Sequence, residues 1–179
     1  MSCATPLTDE QLVAYWADDL DEAALAQVEE HLFACDECLA NATHVQQVAQ
    51  AFRGLPPVIS HAELAALRAR GLTIVDNDFI AERRTPVTFE RHVDFMIHHL
   101  TGLDLTAAER VEVIVRDESG KVMFEEPIAP FDPQSGEILI ACQRHFAAFP
   151  PDVVFDVRVH RAAAPPALST FCIPHVFAS

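Results

Sequence analysis

Apolar residues recur every three or four positions between Thr8 and Phe52, and every second position beyond Gly71. In the first stretch, Leu12, Val13, Trp16 and Leu20 mark an amphipathic helix with Thr8 or Asp9 as its N-cap. Leu25, Val28, Leu32 and Cys35 mark a second helix, capped by Asp21 and antiparallel to the first. A third runs from about Glu37 to Phe52, with Cys38, Ala42, Val45, Ala49 and Phe52 along one stripe and Gly54 as its stop. Residues 1–54 therefore read as a small helical domain. Pro56-Pro57 cannot continue a helix and predicts a stiff, extended linker. Ser60 then caps a brief fourth helix, His61 to Arg70, with Leu64 and Leu67 on one side and Gly71 at its end. Residues 55–71 read as linker plus a helix standing apart from the other three.

Beyond Gly71, eight segments alternate with period two: Leu72 to Val75, Val87 to Phe89, Val93 to Ile97, Val111 to Val115, Val122 to Phe124, Ile138 to Cys142, Val153 to Val159 and Leu168 to Ile173. Turn-forming runs separate them, among them Asp117-Glu118-Ser119-Gly120 and Asp132-Pro133-Gln134-Ser135-Gly136. Many short strands broken by such turns predict a β-sandwich over 72–179. The fold class expected is thus a multi-domain α and β chain, helical first and all-β second.

Charge narrows the partners. The 179 residues carry a net charge of −15. Residues 1–60 hold ten acidic side chains against one basic one, Arg53, for −9. Such a field repels phosphate backbones, so direct nucleic-acid binding is not expected, and a basic protein surface suits it better. No run of 18–20 apolar residues occurs, and the N-terminus lacks the basic start and apolar core of a signal peptide, so a cytoplasmic location without membrane contact is expected. Five cysteines in such a compartment predict thiols and metal ligands rather than disulfides.

The most specific local pattern is His31-Leu32-Phe33-Ala34-Cys35-Asp36-Glu37-Cys38. His31 and Cys35, four apart, share one face at a helix end, and Cys38 folds back through a C-x-x-C knuckle. A mixture of imidazole and thiolates in a closed tetrahedral site suits Zn2+. An antiparallel pair turning near residues 19 and 20 brings residue 3 or 4 opposite residue 35, which makes Cys3 a candidate fourth ligand, with His44 or water as substitutes. A redox C-x-x-C would need a βαβ setting, and the pattern offers none.

This region, about residues 3 to 70, resembles the zinc-binding anti-sigma domain, whose hallmark is H-x-x-x-C-x-x-C at the junction of two helices. The helix around Leu12 to Trp16, the start at Leu20-Asp21-Glu22, the acidic run and the separate fourth helix support the likeness. The resemblance implies a protein that wraps between the two main domains of an extracytoplasmic-function sigma factor. It also implies a partner-facing surface that includes Tyr15, Trp16, Leu64 and Leu67. Lacking a following transmembrane segment, the chain looks like the soluble members, which carry a sensing domain in the cytoplasm.

The second half holds two C-x-x-H pairs, Cys142 with His145 and Cys172 with His175, which together would supply a second tetrahedral metal site if a turn or strand end let each pair converge. The ordinary reading, which is preferred, makes the cysteines small core residues and places the histidines on exposed faces. His98 and His99, adjacent on a strand, face opposite sides and cannot bind jointly. With no nucleophile elbow, phosphate loop or H-E-x-x-H motif, no enzyme activity is expected. The leading expectation is a cytoplasmic anti-sigma factor that releases its partner when the β-domain receives a signal. One alternative is a thiol- or metal-responsive sensor whose zinc site is the switch. Another is a ligand-binding or enzymatic β-sandwich with a zinc-stabilised helical appendage.

Overall fold

A computed structural model describes residues 3–16, 19–52, 56–90, 93–143 and 152–177, with the backbone alone at 49–52, 89, 143 and 177. Gly54, His145 and the side chains of Ala49 and Phe52 lie outside the described residues. The chain divides into two compact units, Met1–Leu55 and Pro56–Ser179.

The first unit contains α1 (Asp9–Trp16), α2 (Glu22–Ala34) and α3 (Asp36–Phe52). Asp21 caps α2 by accepting from the Ala24 amide at 2.8 Å, as its place before the helix requires. Cys35 ends α2 in an extended conformation, φ −133° and ψ 103°, and its carbonyl accepts from the Leu39 amide, so one residue closes one helix and opens the next. The core is small: Leu12, Val28, Leu32, Cys38, Ala42 and Val45, flanked by Cys3, Leu7, Val13, Tyr15, Trp16, Leu20 and Cys35. The Trp16 indole nitrogen donates to the Ala42 carbonyl at 3.0 Å, tying α1 to α3.

The second unit is a two-layer β structure with one helix. Its strands are β1 (Val58–Ile59), β2 (Ile74–Ile80), β3 (Val87–Phe89), β4 (Phe95–Thr101), β5 (Arg110–Asp117), β6 (Val122–Glu126), β7 (Glu137–Gln143), β8 (Asp152–His160) and β9 (Ala167–Phe177), and α4 (His61–Arg68) follows β1. One sheet has the order β1-β7-β4-β2 and the other β3-β9-β8-β5-β6. The β2–β4 and β3–β9 pairs are parallel and the rest antiparallel. Alternation along each strand sends Met96, Leu100, Ile138 and Ile140 of one sheet and Val113, Phe155, Val157, Phe171 and Ile173 of the other into a single shared core. Both predicted turns form. Asp117 Oδ1 accepts from the Ser119 and Lys121 amides across the β5–β6 hairpin. Gly136, at φ +67°, passes so close to Leu103 that an added Cβ would stand 3.2 Å from its carbonyl oxygen.

The segment after the paired prolines departs from the expected linker. Val58 and Ile59, 0% and 1% exposed, pair with Ile140 and Leu139 as an edge strand, and the Ala141 amide donates to the Pro57 carbonyl. The prolines stiffen the approach but leave the next two residues free to donate and accept. Ser60 caps α4 with a full capping box to Glu63, as its sequence requires. The helix does not stand apart: His61 Nε2 lies 2.8 Å from Glu137 Oε1 on β7, and Arg68 holds Asp76 on β2 bidentately at 2.9 and 2.7 Å. Between these ties Leu64 and Leu67 are buried, at 5% and 2% exposure. His99, on β4 between the two strands, bridges the same carboxylates, with Nδ1 2.8 Å from Glu137 and Nε2 2.8 Å from Asp76. The five side chains form one clasp from helix to sheet.

Candidate metal centre

Cys3, His31, Cys35 and Cys38 offer four donor atoms that all lie within 4.8 Å of one another. Each arrives by a local rule. His31 lies in the last turn of α2, Cys35 is its C-cap, and Cys38 enters α3. Cys3 is held from the chain start, its amide donating to Glu37 Oε2 at 2.8 Å. The His31 Nε2 atom stands 3.5 Å from Cys3 Sγ and 3.2 Å from Cys38 Sγ. In a tetrahedral zinc site an imidazole nitrogen and a thiolate sulfur sit about 3.5 Å apart, so this spacing fits a metal at the centre.

The thiols are differently poised. Cys35 is lowered from its ordinary range, first because its sulfur accepts the Cys38 backbone amide at the start of α3. Cys3 is pushed up to about 11 by desolvation, with the neighbouring Cys35 and Cys38 sulfurs adding to it. A cation bound among them reverses that ordering by drawing all three protons off. The donor chemistry, three sulfurs and one imidazole from a helix junction, fits a closed structural site. Cys3, rather than His44, is the residue whose donor atom stands with those of His31, Cys35 and Cys38.

The partner-facing residues inferred from resemblance fare differently. Tyr15 and Trp16 are half-buried and pack on their own core, with ring centroids 4.9 Å apart and edge to face. Leu64 and Leu67 are buried, so the exposed stripe expected of a free fourth helix is absent: a helix tied to a sheet at both ends turns its leucines inward. Among the described residues, the large apolar side chains that the first unit exposes are Phe33, Leu39 and Leu25, at 92%, 48% and 36% exposure. Phe33 lies between two metal ligands and escaped notice because the motif's spacing ignores the residues inside it.

The second-half quartet does not assemble as the C-x-x-H pairs suggested. The β9 strand runs unbroken through Pro174, so Cys172 and His175 point to opposite faces, and Cys172 lies alongside Arg84 instead. His145 is outside the described residues. Cys142 and His175 do meet, with His98 as the third member. His98 is 0% and His175 8% exposed, which overturns their placement on exposed faces. No helix among the described residues is long and apolar enough to cross a membrane, a statement that does not bear on β-barrels.

No curated protein matches the chain in sequence. Among solved structures, the chain is similar to the N-terminal domain of phage TP901-1 ORF48, at 12% identity and a TM-score of 0.39, over 60% of this chain and 100% of that one. Residues 8–39, which include His31, Cys35 and Cys38, match the family model described as "Putative zinc-finger", so this segment is similar to that family, one typical of anti-sigma factors.

Proposed function

We propose that the chain is a cytoplasmic anti-sigma factor without catalytic activity. In this reading Zn2+ fixes the helical unit, that unit captures a sigma factor of the extracytoplasmic-function type, and the β-unit receives the signal that ends the capture. The convergence of Cys3, His31, Cys35 and Cys38 within 4.8 Å at a helix junction carries the reading, since it joins the family match to a working ligand set. The charge of residues 1–60, −9, favours a basic protein surface over nucleic acid. Phe33, projecting beside the ligands, supplies an apolar anchor of the type that dominates binding energy once a partner covers it.

The direct test is purification of the full chain with each extracytoplasmic-function sigma factor of its own organism in turn, followed by promoter-dependent transcription with RNA polymerase. A one-to-one complex with one of them that silences its transcription is expected, and Cys38→Ser should release that partner and restore transcription. A folded, zinc-loaded chain that leaves transcription unchanged with every one of them refutes the proposal.

A further inference from the structure

Three strands from both sheets send polar side chains to one point in the apolar interior of the second unit. His98 comes from β4, Cys142 from β7 beside it, and His175 from β9 in the facing sheet. The two Nε2 atoms are 2.9 Å apart, and one donor atom from each of the three residues lies within 4.8 Å of the others. The surroundings are mostly hydrocarbon, with Phe79 edge-on to His98 at 4.9 Å and Phe155 at 6.4 Å; the Asn77 amide beside His98 and the Asp152 carboxylate, which acts on His175, are polar neighbours.

Left to themselves these groups are an awkward core. Only one proton can lie between the two Nε2 atoms, so one ring must donate and the other accept. Both Nδ1 atoms are buried without a partner, as is Nδ2 of Asn77, the register partner of His98 on β2. A buried unpartnered polar group destabilises the fold, where a leucine would cost nothing of the kind. Burial lowers both histidines, His98 further through the neighbouring His175, and so keeps both rings neutral with lone pairs available. Burial also pushes the Cys142 thiol up to about 12, so without a cation it remains a thiol.

We propose that His98, Cys142 and His175 form a second metal site, an N2S site between the sheets that takes a soft monovalent cation, Cu+. Two imidazoles and a thiolate exclude hard ions such as Mg2+ and Ca2+. Charge separates the remaining candidates: Cu+ with one thiolate is neutral, whereas Zn2+ would leave a net positive charge in an apolar interior, a costly state. Three donors satisfy Cu+, while a closed zinc site needs a fourth. The nitrogens must part by a few tenths of an ångström, since metal-bound imidazole nitrogens sit about 3.3 Å apart. Binding forms the Cu–S bond and releases the Cys142 proton to solvent. The assignment stands independently of the sigma-factor reading.

The test uses the full chain, anaerobically, with Cu+ supplied as its acetonitrile complex and competed against a chromophoric chelator. Wild type should retain two metal equivalents, and Cys35→Ser/Cys38→Ser should keep one Cu+. Cys142→Ala and His175→Ala should each lose one equivalent and weaken Cu+ retention at least 100-fold at this site. X-ray absorption on the Cys35→Ser/Cys38→Ser chain needs no change in the core and should show two nitrogens and one sulfur about the copper. A single equivalent in wild type that vanishes in that chain overturns the proposal, as does any other ligand set. Retention of Zn2+ in preference to Cu+ by the Cys35→Ser/Cys38→Ser chain overturns the choice of ion.

Discussion

Stripping zinc from the first unit should unfold it and leave the second intact. Among the described residues, the buried core of the first unit comprises Leu12, Val28, Leu32, Cys38, Ala42, Val45 and Val48, and one of these is itself a candidate ligand. A structural zinc supplies about 10–16 kcal/mol in small zinc-finger peptides, as much as the whole stability of an ordinary domain at about 5–15 kcal/mol. Without it the unit has no margin. Helices α1, α2 and α3 contain 8, 13 and 17 residues, which is 38 of the 46 described α-helical residues once the 8 of α4 are included. A metal-free chain should therefore lose about four-fifths of its helical ellipticity at 222 nm, keep its strand signal and recover on addition of one equivalent of Zn2+. Cys38→Ser should reproduce the loss without a chelator, which confines the effect to the first unit. A metal-free chain that keeps its full 222 nm signal would show that packing alone holds the helices and that the metal has another role.

Three further outcomes follow from the second unit and the exposed surface. Burial alone would lower His99, but its hydrogen bonds to Asp76 and Glu137 outweigh this and raise it above the usual histidine value. Its contribution is therefore complete below about pH 6.5 and lost as pH rises through the raised value. Glu137 is lowered on balance, burial opposing and His61 and His99 prevailing, so its contribution is lost only as pH falls through that lowered value. Above about pH 7.5, where the lowered His98 and His175 are neutral folded or unfolded, urea midpoints should decline, and His99→Gln should flatten that decline at a cost of about 1–3 kcal/mol below it; an unchanged pH profile would count against the clasp. Asp156, 1% exposed, is held by Arg116 and by the Thr170 hydroxyl at 2.8 Å. Arg116→Met strands that carboxylate and should cost about 3–5 kcal/mol in thermal unfolding, whereas a loss under 1 kcal/mol would mean that water replaces the guanidinium. Phe33→Ser should leave stability within about 0.5 kcal/mol and weaken sigma-factor binding at least tenfold by interferometry; unchanged binding would place the interface elsewhere.

Periodicity and punctuation made most elements legible. The Asp21 and Ser60 caps fixed two helix starts, and all eight alternating segments overlap strands, although Leu72-Thr73 and Val93-Asp94 precede β2 and β4, and polar ends such as Asp76 and Asp78 hid part of the period. Local spacing was equally informative for His31, Cys35 and Cys38, and the hairpin geometry reached Cys3. What stayed hidden depends on distant pairing. Val58-Ile59 is too short for alternation and becomes a strand only because β7 offers it an edge. Pro174 reads as a strand end, yet β9 continues through it. His98 and His175 are 77 residues apart, and only the packing of one sheet on the other brings them together.

The strand order carries a consequence for synthesis. The helical unit closes within its first 55 residues, so its ligands can meet zinc soon after they leave the ribosome. The second unit must wait: β9, the last strand described, lies between β3 and β8 inside its sheet, so that sheet stays divided until β9 emerges. At about 5–20 residues per second, the 122 positions from residue 55 to Phe177 take roughly 6–24 s. For that interval a completed helical unit is tethered to an unfinished sandwich, with its apolar strands waiting for their last partner.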